Sequence, residues 1–279
     1  MGWMASPLPA ARIAWLRVVA YAFVPVDLLL TTPWVFDHAQ VPGALYQPLR
    51  IGRLLPLPTP GPWVTAFGLA LAAAGAACAV LAARRRLPSW AGWLVALAYL
   101  QWMVVAFSYG KVDHDRIGYL VLLAVLPTVG RVGLRDRTPS EAAGWAVRAT
   151  ALAVVATYAL AAVAKIRFGG WDWVDGATLT RAVVRRGTAF SEPLLDHTWV
   201  LHAFQYVLMG VELLVAPLLL VRWRREQVTW VLTAGFLAFH VMTFAALTIV
   251  FLPHCVALLA LLPLERLGDR RPRRRLVPA

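Results

Sequence analysis

Residues 158–176 read YALAAVAKIRFGGWDWVDG, a run of small apolar side chains that ends on Lys165 and gives way at once to tryptophan, aspartate and glycine. A helix of such residues suits hydrocarbon on every side. A lysine at its end suits the boundary with water, stem in lipid and ammonium among headgroups. The same position suits a base at the mouth of a pocket in the membrane, since an apolar surrounding disfavours the charged form of an amine. The two roles are separated by what the rest of the chain brings to that depth.

Working outward, 60% of the 279 residues are hydrophobic and only 15% charged, with a mean hydropathy of +0.66. That balance excludes an ordinary soluble domain and indicates an all-α, polytopic membrane protein. The formal charge of +13 does not point to nucleic acid, because the arginines stand in short clusters between apolar runs, as in cytoplasmic loops. Apolar runs of roughly 17–25 residues predict about eight spans, at 10–31, 62–83, 88–108, 117–134, 143–165, 199–221, 228–246 and 249–264. The segment MGWMASPLPAAR shows no clear cleavage site, so the first run is expected to stay as a span.

Arg12, the loops ARRRLP, RVGLRDR and RWRRE and the tail ERLGDRRPRRR hold sixteen of the 27 Lys and Arg, and the opposite side holds nine. The positive-inside rule then puts both termini in the cytoplasm. The expected product is one membrane domain, 1–279, with a basic tail at 266–279, in a bacterial plasma membrane. Segments 32–61 and 166–198 fall outside and are too rich in tryptophan, proline and leucine for solvated loops. ATLTRAVVRRGTAF has the spacing of an amphipathic surface helix. Cys78 and Cys255 fall about 20 Å apart in depth, too far for a disulfide.

Ionisable groups within spans each need a partner or a task. They are Arg17, Asp27, Arg148, Lys165, Glu212 and His240, joined at span ends by His114 in DHDRIGYL and His254 in FLPHC. Asp27, Lys165, His114 and His254 fall toward one side, as a site requires. The plainer roles are a snorkelling anchor for Lys165, a hydrogen-bonded core histidine for His240 and an exposed turn for His114. Asp27 and Glu212 would then neutralise Arg17 or Arg148. No two histidines stand at i, i+4, and His197 and His202 are five apart, so no metal site is expected. A bis-histidine haem lacks a second in-span pair.

Three stretches, HDRIGYLVLLAVLP, YALAAVAKIRFGGWDWVDG and FHVMTFAALTIVFLPHCVALLALLPLERL, together resemble the HTTM domain, the membrane core shared with the vitamin K-dependent γ-glutamyl carboxylases. The opening IAWLRVVAYAFVPVDLLL is similar to the arginine-led first helix of these domains. The resemblance implies that Lys165 is the active-site lysine, that His114 holds it, and that His240 is the histidine of the later helix. Trp171, Trp173, Asp175, Glu212, Asp27 and His254 are the expected substrate-binding set around them. In the resembled reaction the lysine deprotonates a vitamin K or menaquinol-type hydroquinone. The anion reacts with oxygen, and the product is a base strong enough to take a carbon-bound proton from glutamate. This chain departs from the pattern at Ala162, where the family has glycine, at Thr243, where it has asparagine, and in a longer Lys165–Trp173 loop. It also ends soon after the last span, without the region that captures the carboxylase's protein substrate.

The expectation is therefore a carboxylase-like lyase or oxidoreductase whose partner is a lipid or quinone. One alternative is a catalytically inactive lipid-binding factor that assists the maturation or export of a membrane or secreted protein. A second is a small-molecule transporter, against which stands the lack of a visible repeat.

Overall fold

The computed structural model describes residues 2–54, 58–109, 113–220 and 226–269. Lys111, the arginines of the expected 222–227 loop and the basic tail from Arg270 onward lie outside the described residues. The described chain is almost entirely helical. In order it forms α1 (Ala10–Val26), α2 (Arg50–Leu54), α3 (Trp63–Ala83), α4 (Ser89–Phe107), α5 (Ile117–Val125), α6 (Glu141–Gly169), α7 (Asp172–Asp175), α8 (Thr178–Arg186), α9 (Thr198–Gly210), α10 (Glu226–Leu247) and α11 (Leu252–Leu258). α1 continues through a π-turn at Asp27–Thr31, and α9 through a π-turn at Val211–Val215 and a 3₁₀ turn at Ala216–Leu220.

Six helical segments are long and apolar enough to cross a membrane: Ala10–Thr31, Trp63–Ala83, Ser89–Phe107, Glu141–Gly169, Glu192–Leu218 and Gln227–Leu247. The expected fourth and eighth spans, 117–134 and 249–264, are shorter. α5 gives way to a 3₁₀ turn at Leu126–Thr128, where Pro127 withdraws a backbone donor. α11 starts afresh at Leu252, after Thr248 takes a φ of 56° that breaks it from α10, and ends in a 3₁₀ turn at Leu259–Leu261. With their 3₁₀ turns these two helices are about 20 Å and about 17 Å long, little more than half of a hydrocarbon core of about 30 Å.

α1 packs along α3 at the centre of the largest core cluster. Gly75 permits the approach: a Cβ there would lie 2.6 Å from Val24 Cβ and 3.0 Å from the Tyr21 carbonyl oxygen. Small residues at such a seam are how apolar helices gain packing where lipid offers no hydrophobic drive. α5 packs on α4, α6 and α11, and the Tyr119 hydroxyl donates to the Ala20 carbonyl at 2.6 Å.

One end of the bundle gathers the chain's first residues, the 131–140 loop and the turn at Leu264–Asp269. Leu8–Pro9 pairs antiparallel with Pro139–Ser140. Arg12 forks onto the Glu265 carboxylate at 2.8 and 2.7 Å, and Arg137 donates to the Glu265 carbonyl at 2.8 Å. Arg17 and Arg148 donate to backbone carbonyls among the described residues. Arg17 donates to the carbonyls of Leu126, Val129 and Gly130, which end α5, and Arg148 donates to Ser6 at 2.6 Å.

Candidate functional site

The Ser140 side chain accepts from the Ala143 amide at 3.2 Å and starts α6, and no proline interrupts the helix before Gly169. Gly170 ends it at a φ of 67°, a conformation costly for any residue with a Cβ. Lys165 therefore sits one turn inside α6, not at its end. α7 folds back and brings the Trp173 ring centroid to 4.8 Å from Lys165 Nζ, within cation–π range. Lys165 Nζ donates to Glu212 Oε1, with side-chain exposures of 21% and 8%. Glu212 lies in the second π-turn, just ahead of Pro217. Its Oε2 is buried without a hydrogen-bond partner.

Two turns earlier on the same face of α6, Tyr158 meets a second polar group. Its hydroxyl oxygen and His240 Nε2 are 2.7 Å apart. The His254 ring centroid lies 4.7 Å from that of Tyr158 and 5.3 Å from that of His240. His254 is 1% exposed and neither of its ring nitrogens has a hydrogen-bond partner, nor does His240 Nδ1. Phe236, Phe239 and Phe251 complete the ring of aromatics.

Both groups open into one cavity of about 520 Å³. α6, α9, α10 and the start of α11 wall it, α8 and the turn at 190–194 roof it, and the lining is overwhelmingly apolar. Of the residues expected from sequence, Lys165, His114, His240, Glu212, Trp173 and His254 line it together. Lys165 pairs with Glu212, and His114 lines the same cavity from the 3₁₀ turn that precedes α5. Trp171 is 66% exposed and faces outward. Asp175 is exposed, where it accepts from the Tyr206 hydroxyl. Tyr158 and Asp115 also line the cavity. Neither stands out in an apolar pattern as a histidine or lysine does, although Tyr158 stands seven positions before Lys165 and so on its face.

Asp27 is elsewhere. It is fully buried and accepts from Arg116 Nη1 at 2.5 Å, from the Tyr99 hydroxyl at 2.6 Å and from the Thr31 hydroxyl. Trp102 Nε1 donates to the Thr32 hydroxyl at 3.2 Å beside it. Burial of the Asp27 carboxylate is offset by these donors, while Arg116 Nε, without a hydrogen-bond partner, lies 3.9 Å from Asp113. This network pins Arg116, and through it the adjoining His114 and Asp115 that reach the cavity. Asp27 therefore supports the site from behind and does not line it.

The roof is bolted down. Gln205, fully buried on α9, donates to the carbonyls of Val174 and Gly176 at 2.5 and 2.8 Å and accepts from the Leu179 amide at 2.7 Å. At the other end, the Thr188 and Ser191 hydroxyls donate to the carbonyls of Ala245 and Ala246 at 2.5 and 2.7 Å. α8 turns Leu179, Ala182 and Val183 into the cavity and keeps Arg181, Arg185 and Arg186 exposed, the division expected of an amphipathic cover. Among the described residues, no three His, Cys, Asp or Glu side chains are grouped to hold a metal ion. No protein-family model, no curated protein and no solved structure matches the chain.

Proposed function

We propose that this chain is a multi-pass membrane enzyme of carboxylase-like type that binds a lipid-soluble quinol in the cavity and activates it through Lys165 and Glu212. The observation that carries the reading is an ion pair set in the wall of an apolar cavity, with a carboxylate oxygen left unpartnered. An ion pair that served packing alone would be expected to have its lone pairs satisfied. In this reading both termini face the cytoplasm and the cavity lies in the outer half of the bilayer. α5 and α11 enter as half-length helices that complete the count of eight and begin at the cavity floor.

The residues fit such a ligand. An apolar ring and chain meet a lining that asks for no hydrogen bonds, and two polar groups two helical turns apart, about 10 Å, can address hydroxyls on opposite sides of a ring. Glu212 Oε2 accepts the hydroxyl proton, and the Lys165 ammonium beside it balances the negative charge that develops on the quinol oxygen. This changes the expected role of Lys165 from a lone neutral base to the cationic half of a pair. Trp173 holds the ammonium from the other side. The Tyr158–His240 pair and His254 orient the far hydroxyl, and the roof excludes water. A bound quinol supplies the electrons for reaction with oxygen.

Purified protein in detergent should consume a reduced menaquinol-type naphthoquinone with oxygen. Lys165→Met and Glu212→Gln should each abolish turnover without unfolding the protein. A panel of quinols that binds but is never oxidised, with both variants behaving as wild type, would leave the non-catalytic lipid-binding factor. The closed Lys165–Glu212 pair, which ties α6 to α9, favours that second reading.

A further inference from the structure

The cavity has a floor, a fixed roof and an open side. α9 and α10 make next to no direct contact among the described residues: α8 bridges them at one end and the turn at Ala216–Leu220 approaches α10 at the other. Between those bridges Phe204 and Val207 of α9 and Met242 of α10 line the cavity, yet they are 49%, 56% and 51% exposed. A side chain that is both inner lining and outer surface marks an opening. All three are apolar, so a mouth facing water would be costly, whereas the surroundings of two such long apolar helices are hydrocarbon.

We propose that the seam between α9 and α10 is a lateral portal. Through it a lipid with one polar head and a long isoprenoid or acyl chain slides from the bilayer, bringing its head to Lys165 and Glu212 and leaving its chain in the seam. The inference rests on the reading that the cavity's polar end receives a ligand head, and it adds the chain and the route. Opening the roof would break the buried hydrogen bonds of Gln205, Thr188 and Ser191. Opening the seam asks only for rotamer changes of Phe204 and Met242, the latter an unbranched and adaptable side chain. A chain that remains among lipid tails while the head moves inward also needs no transfer through water.

The test uses the full chain in lipid nanodiscs with two photoactivatable probes of matched length. One is a naphthoquinone carrying an isoprenoid tail tipped with a diazirine, and the other is a fatty acid tipped in the same way. After irradiation, mass spectrometry should find adducts concentrated on Phe204, Val207, Met242 and their neighbours, well above those on exposed leucines of other helices such as Leu94, Leu97 and Leu160. Val207→Trp, which overfills the seam, should slow labelling roughly tenfold. Adducts spread evenly over lipid-facing leucines, or gathered on the roof at Val184 and Phe190, would overturn the portal. Seam labelling by the fatty acid but not by the naphthoquinone would uphold the portal while removing the quinol reading. The wild-type map stands even if the tryptophan variant misfolds.

Discussion

Asp27→Asn tests whether the buried network behind the cavity is held by charge. Asparagine keeps the shape and removes the negative charge, and it leaves one acceptor oxygen where Asp27 uses two, Oδ1 toward Arg116 and Thr31 and Oδ2 toward Tyr99. The Arg116 side chain is 5% exposed and has one other acid in range, Asp113 at 3.9 Å from its Nε. Removing one member of a buried pair costs about 3–5 kcal/mol. For a cooperative chain of this size each kcal/mol is worth about 2–4 °C, so the unfolding midpoint should fall by roughly 6–20 °C. Asp27→Ala also strands the buried Tyr99 hydroxyl, while Thr31 keeps the Asp27 carbonyl at 3.0 Å, and should cost about 1–3 kcal/mol more. The double variant Asp27→Leu with Arg116→Met should recover much of the loss, because no uncompensated charge stays inside. Tryptophan fluorescence during heating in a single detergent is the assay, Trp102 next to the network being one of the thirteen tryptophans that report unfolding. An Asn variant within about 2 °C of wild type, under 1 kcal/mol, would refute the argument. So would a double variant as unstable as the sum of the two singles.

Gln205→Leu should release the roof without disturbing the bundle, since it leaves the Val174 and Gly176 carbonyls and the Leu179 amide without their buried partner. Hydrogen exchange is expected to speed up over 172–187 and to stay unchanged in α1 and α3. The Glu265 clamp should respond to acid. Burial by itself would raise that carboxyl, but the hydrogen bonds and charge of Arg12 outweigh it and hold the group below its ordinary value. A depressed folded value means that the clamp contributes fully above the unfolded carboxyl range and is lost as pH falls through the folded one. The thermal unfolding midpoint should therefore fall as the pH drops below the ordinary carboxyl range, and by less in Glu265→Gln.

Hydropathy made the long helices legible, because an apolar run needs no partner to declare itself. It overstated 117–134 and 249–264, where Pro127 and the backbone break at Thr248 cut the helices short inside sequence that stays apolar throughout. The gathering of Lys165, His114, His240, Glu212 and His254 toward one depth could be read from their positions along the spans. Their partners could not. Depth says nothing of azimuth, so Arg17 and Arg148 looked as suitable for Asp27 and Glu212 as Arg116 and Lys165. Arg17 took carbonyls instead, which any segment supplies and no pattern reveals. Tyr158 was open to discovery, since a hydroxyl two turns from Lys165 on an otherwise aliphatic face is a periodicity signal.

Asp27 and Glu212 share a setting that gives them a common vulnerability. Each lies in a π-turn, which carries one residue more than an α-turn and rotates the helix beyond it by about 100° relative to an unbroken run. Both carboxylates thus depend on what amounts to a single-residue insertion. Deleting one residue from Val211–Val215 would leave a helix as apolar, as long and as able to cross a membrane as before, with Glu212 swung off Lys165. Such a chain would insert and pack much as its parent does, and its defect would be one of phase.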